Sequence, residues 1–209
     1  DVKLFGATSG KYWLWDEDAD GVVQVGSTLH AGTLTVGVDD TGHDVKFFGA
    51  TVGAFMEWDE NVDELEIRGP VATPGKLLLS TAEATVVDGN KLGQIDFQAP
   101  LDGSGTDAIV VGASIVAEAD ATFSASVNST DLVFLTADSG AATEKLRIDS
   151  TGQVTFADGA IDVNIASHDG TNGLKLGGTL VTATAANLNA TRTTATTGKA
   201  IAMAMIFGG

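Results

Sequence analysis

Residues 1–26 and 44–69 are one segment written twice. Asp1-Val2-Lys3-Leu4-Phe5-Gly6-Ala7-Thr8 returns as Asp44-Val45-Lys46-Phe47-Phe48-Gly49-Ala50-Thr51, and Trp15-Asp16-Glu17 returns as Trp58-Asp59-Glu60. The offset is 43 residues throughout, so Asp20 falls on Asp63 and Gly26 on Gly69, and 13 of the 26 aligned positions are identical. A match held in one register over this length marks the duplication of a structural unit. It constrains the chain to small modules placed in series. The first copy opens at Asp1 without a methionine. The sequence is therefore expected to be a processed chain or part of a longer one, with further copies upstream.

Each copy reads as β-structure. Val2–Phe5 is a strand, and Lys11-Tyr12-Trp13-Leu14-Trp15 is rich in aromatic strand formers. Asp16–Gly21 is a turn cluster and Val22–Val25 the next strand, so residues 11–25 form a β-hairpin. Residues 54–67 repeat it. There Leu65 and Ile67 alternate with Glu64, Glu66 and Arg68, which marks a strand with one buried face. Gly32–Val38 reads as a strand between the copies.

Pro70 and Pro74 break the pattern. Beyond them, strands are expected at 76–79, 84–87, 94–97, 121–127, 131–136, 144–148 and 153–156. Turns at Asp88-Gly89-Asn90, Asp138-Ser139-Gly140 and Asp149–Gly152 separate several of them. Residues 99–112 read as a Gly-rich excursion. From Gly159 the strands shorten (161–165, 174–176, 179–181), and 183–190 has the pattern of two helical turns. A Thr-rich link at 191–197 leads to Ile201–Phe207, the most apolar run in the chain. The fold class is all-β, in three parts: duplicated hairpins over 1–70 (1–43 and 44–70), a small sandwich-like module over 71–158, and a C-terminal segment over 159–209 with a short helix and a terminal apolar strand.

Composition bears on how such modules find a core. The 209 residues include 29 Ala, 26 Gly and 25 Thr but only 13 aromatics. Small side chains bury little area, and at about 25 cal/mol per Å² they stabilise a lone chain weakly. Neighbouring copies are the natural source of the missing burial. The net charge of −17 argues against nucleic-acid binding. Residues 1–70 carry 14 acids against 4 bases, whereas no acid follows Asp169. Cysteine is absent, which removes disulfides, thiolate nucleophiles and Cys-based zinc sites. No stretch approaches the length of a membrane-spanning helix.

Candidate chemistry is sparse. Asp16-x-Asp18-x-Asp20-Gly21 has the spacing of a calcium loop, since a hard cation wants several oxygens on one tight turn. Position twelve is Ser27 rather than a bidentate glutamate, the flanks are strands, and the second copy places Glu64 where the glycine belongs. A plain acidic turn is the better reading, and no metal or cofactor is assigned. His30, His43 and His168 stand alone, without a second histidine at ligand spacing. Gly103-Ser104-Gly105 and Gly177-Gly178 lack the context of a phosphate loop. Paired carboxylates for glycoside cleavage carry no signal among 28 acids. No catalytic residue is assigned, and the chain reads as non-enzymatic. Trp15 and Trp58 are equivalent in the two copies and are expected to fill one core position.

Gly93–Phe97, Thr130–Thr136 and Thr143–Gly152 (Thr-Glu-Lys-Leu-Arg-Ile-Asp-Ser-Thr-Gly), in that order, resemble modules of tailed-phage tail-fibre and tail-spike proteins. There a Glu-Lys/Arg-Leu/Met-Arg-Ile-Asp-x-Gly strand and turn ends a small β-domain. Leu176–Leu188 is similar to the Thr-Ala-Ala-Glu-Leu-Asn linkers of the same proteins, with Asn187 in the glutamate position. The Phe-Phe-Gly-Ala-Thr…Trp-Asp-Glu unit is similar to repeats in virion structural proteins. The resemblance implies a structural component of a virion fibre in the extracellular particle. It also implies an elongated, intertwined homotrimer that contacts other virion proteins and, at a fibre tip, a host-surface glycan or protein. Two other readings stand beside it: a capsid decoration or head-fibre protein, and a carbohydrate-binding receptor module.

Overall fold

The computed structural model describes residues 1–157, 162–166, 168–169 and 171–187. Its regular structure is almost entirely antiparallel β, in four small sheets. The chain divides into two units, Asp1–Leu78 and Leu79–Gly209.

The first unit holds the duplication as two three-stranded meanders. Strands β1 (Val2–Phe5), β2 (Tyr12–Asp16) and β3 (Gly21–Val25) form one sheet, and β4 (Val45–Phe48), β5 (Phe55–Asp59) and β6 (Glu64–Arg68) form the other. The 43-residue offset extends to individual hydrogen bonds. The Asp1 carboxylate accepts the Glu17 N–H at 3.0 Å, and the Asp44 carboxylate accepts that of Glu60 at 3.0 Å. Gly6 N–H donates to the Lys11 carbonyl and Gly49 N–H to that of Ala54, each at 2.8 Å. The tight turns between the first two strands place Gly10 at φ +79° and Gly53 at φ +86°, a region closed to most L-residues. Several of the identities in the sequence therefore mark turns and end bonds.

Alternation along paired strands assigns the side chains to faces. In the first sheet Val2, Leu4, Trp13, Trp15, Val22 and Gln24 share one face. Their counterparts in the second are Val45, Phe47, Met56, Trp58, Leu65 and Ile67, all apolar. Among the described residues no second layer lies over this Trp face, and Trp15 and Trp58 are each 41% exposed. The equivalence of the two tryptophans is as expected, but neither is buried within the chain. The opposite face differs between the copies. Leu14, Val23 and Val25 are replaced by Glu57, Glu66 and Arg68. Lys3 stands 3.5 Å from the centre of the Tyr12 ring, and Lys46 stands 3.8 Å from that of Phe55. Lys46 also pairs with Glu57 at 2.6 Å.

The second unit contains a five-stranded meander in the order β11-β10-β9-β8-β7. Its strands are β7 (Lys91–Gln98), β8 (Val111–Ala119), β9 (Thr130–Thr136), β10 (Thr143–Ile148) and β11 (Val154–Phe156). One face carries Ile95, Phe97, Ile115, Leu132, Phe134, Leu146, Ile148, Val154 and Phe156, with alanines and threonines between them. The other face is polar at both ends, around Val116 and Val133, which lie opposite each other. Those two and Ala119 are the buried apolar residues among the described residues. A two-residue ladder, β12 (Lys175–Leu176) with β13 (Thr179–Leu180), lies further along.

Several expectations need correction. Residues 32–38 form no strand, since only an isolated Val38–Thr41 bridge is present. Residues 76–79 and 84–87 are not strands either. The Val87 N–H is taken by the Asn90 side chain and the Val86 carbonyl by Phe123, so neither joins a ladder. Residues 121–127 reduce to a Ser124–Val127 bridge, and 162–165 form no strand. The strand Val111–Ala119 begins at the end of the expected excursion and runs through residues 113–119, where no element was expected. The strands between Leu79 and Ala157 make a single sheet where a sandwich-like pair of layers was expected. Residues 185–187 are helical, and the Thr184 hydroxyl accepts the Asn187 N–H as an N-cap. The remainder of the expected helix, the Thr-rich link and the apolar run at 201–207 lie outside the described residues.

Candidate functional site: open apolar faces and an arginine-centred cluster

Two features stand out, one apolar and one charged. The apolar one recurs in both units. The Trp faces of the first unit and the Ile95–Phe156 face of the second present large side chains to solvent. Phe47 is 56% exposed and Phe97 53%. In a monomeric soluble domain one of these faces would be covered by a second layer. Single exposed apolar residues are ordinary, but a whole sheet face of them marks a surface built for contact.

The charged feature lies on the polar face of the five-stranded sheet. Arg147, on β10, offers five N–H groups in a fixed fork, and its bonds reach three carboxylates. Glu144 is gripped through both oxygens, at 3.0 Å from Nε and 2.6 Å from Nη2. Asp131 on β9 accepts from Nη1 at 2.5 Å, and Glu118 on β8 from Nη1 at 3.1 Å and Nη2 at 3.2 Å. Glu118 and Asp131 are direct cross-strand partners. Two like charges so placed repel each other, and the guanidinium between them offsets the repulsion. Asp131 is 3% exposed, and its second oxygen accepts the Ser150 N–H at 3.0 Å. Hydrogen bonding from Arg147 holds the Glu144 carboxyl below its ordinary range, and the carboxylates in turn raise the arginine above its own. Glu144 therefore stays ionised, the opposite of what a general acid needs.

The motif that carried the phage resemblance now has a physical content. Glu144 and Arg147 anchor the cluster. The Asp149 carboxylate closes the following turn by accepting from the Thr151 and Gln153 N–H groups, each at 2.9 Å, and Gly152 takes φ +87°. Hydrogen bonds from Thr151 and the turn backbone lower the Asp149 pKa. Each specified residue of the motif thus fixes a strand, a turn or a charge.

The other candidates fall elsewhere. The Asp16 carboxylate accepts the Asp18 and Ala19 N–H groups at 3.1 and 3.2 Å, so it caps the hairpin loop. Among the described residues no three acidic or histidine side chains converge on a metal-sized point, and that includes Asp16, Asp18 and Asp20. His168 accepts the Leu174 N–H on Nδ1 at 3.3 Å, which leaves Nε2–H to donate to the Ala183 carbonyl at 3.1 Å. His30 and His43 are exposed. No helix among the described residues is long and apolar enough to cross a membrane. Sequence reasoning missed the convergence of Glu118 and Asp131 on Arg147, because strand register, which spacing along the chain does not reveal, brings them together. No family model matches the chain, and no curated protein matches it either.

Proposed function

We propose that this chain is a structural segment of a tailed-phage virion fibre, assembled as an elongated, intertwined homotrimer among other virion proteins. The observation that carries the reading is the open apolar face of each of the three larger sheets, set against three buried apolar residues among the described ones. A lone three-stranded sheet is marginal in water unless something packs on it. Serial modules with one such face each are stabilised when copies run side by side, each lending the others the layer it lacks. The strand-turn motif at 144–152 adds the likeness to fibre modules. In this reading the Arg147 cluster is a structural clamp, and the chain has no catalytic role.

Negative-stain imaging of the purified chain tests the proposal. Slender rods of uniform width support it. Isolated round particles of single-chain size contradict it.

A further inference from the structure

The two copies of the repeat serve as an experiment in what the unit must keep. We infer that the Trp face of each repeat is the contact surface for a second copy of this chain. The inference rests on the assembly reading above and adds where the copies touch.

Three observations point to it. First, the two faces of the unit have diverged unequally. On the Trp face every position of the second copy is apolar, and Gln24 of the first becomes Ile67. On the opposite face Leu14 has become Glu57 and Val23 has become Glu66. A face free to drift to charge is a solvated face, whereas one that remains apolar through duplication is covered in use. Among the described residues nothing buries it, since the tryptophans of both sheets are open.

Second, the area is sufficient. Nine large apolar side chains of the two Trp faces are exposed. With roughly 90 Å² still open on each, they offer about 800 Å² per chain, the share one partner contributes to a standard stable interface.

Third, the strand positions of both Trp faces are uncharged. The chain carries −17 overall, so two copies repel wherever charged surfaces meet. The Trp faces hold no charged residue in either repeat. The strand positions of these faces therefore add no like-charge repulsion between copies, and the acids nearest to them, Asp39, Asp40, Glu60 and Asp63, stand around Trp58 at the margin of the second.

The absence of cysteine gives a direct test in the 209-residue chain. Leu65→Cys places a thiol on the Trp face and Glu66→Cys places one on the opposite face, one residue away. Treatment with a flexible bis-maleimide is expected to join chains through position 65 and leave position 66 unjoined. Trp58→Glu is expected to reduce the native mass from about 64 kDa, three times the 21.3 kDa chain, to that of one chain. Circular dichroism reports whether that variant still folds, and the cross-linking result stands without it. A trimer joined through 66 rather than 65 overturns this inference and leaves the fibre reading intact. So does a Trp58→Glu chain that keeps the wild-type mass. A monomeric wild type overturns both.

Discussion

Arg147→Met is expected to destabilise the five-stranded sheet by about 3 kcal/mol, read by urea unfolding near neutral pH. Methionine keeps the apolar stem of the side chain and removes the charge. Glu118, Asp131 and Glu144 then share one patch of sheet without the guanidinium that all three bind. Breaking a buried pair by removing one partner typically costs about 3–5 kcal/mol, because the other charge stays behind. The lower end applies here, since the side chains of Arg147 and Glu118 are each 26% exposed and that of Glu144 is 32% exposed, so water screens part of the loss. Arg147→Lys is expected to recover only part of it. One ammonium cannot reproduce a two-oxygen grip on Glu144 while reaching Asp131 and Glu118. Asp131→Asn in the methionine background is expected to return some stability by removing the least hydrated of the stranded charges.

The effect also has a pH signature. Glu144 has a folded pKa below its unfolded value, with Arg147 the main cause. Its stabilisation is therefore present above the ordinary glutamate range and is lost as pH falls through the lower, folded value. In Arg147→Met the main cause of the Glu144 lowering is gone. The gap between wild type and variant is expected to be widest near neutrality and to narrow below about pH 4. A variant loss under about 1 kcal/mol at pH 7, or a gap independent of pH, contradicts the cluster's role as a clamp.

The second large effect concerns assembly. The thermal midpoint of the wild-type chain is expected to fall on dilution. A trimer that comes apart as it unfolds loses about 2.8 kcal/mol per trimer for each tenfold dilution, twice the ~1.4 kcal/mol of a single factor of ten. Spread over three chains of 209 residues, that corresponds to about 2–4 °C per decade of concentration. A midpoint constant over a hundredfold range contradicts it. The reason to expect coupling is structural. Val116, Val133 and Ala119 are too little core to hold the described sheets by themselves.

What could be read in the sequence was what is encoded locally. Both hairpins were legible, because aromatic strands flank Asp-rich turns and the copies confirm each other. The strands at 130–136 and 143–148 were legible through their apolar runs and the turn at Asp149. Val111–Ala119 was not. It is a central strand with Gly112, Ala113, Ala117 and Ala119, so it needs neither alternation nor bulk, and its residues look like a linker. The segments at 76–79 and 84–87 show the converse error. Leu77-Leu78-Leu79 and Val86-Val87 have strand composition, but a strand also needs a neighbour to pair with, and composition does not supply one. The Arg147 cluster was half legible. Glu144 and Arg147 stood out within a motif, whereas Glu118 and Asp131 reach them from 29 and 16 residues away through register alone. Trp15 and Trp58 were correctly paired, and their exposure is the most useful departure from expectation. A tryptophan in the same place in two copies, open in both, is the surface that the proposed partner copy would cover.

That partner is the centre of the account, and the native mass of the intact chain addresses it most directly. Sedimentation equilibrium or native mass spectrometry at micromolar concentration is expected to give about 64 kDa, three times the 21.3 kDa chain. A single species of 21.3 kDa at the same concentration would contradict it.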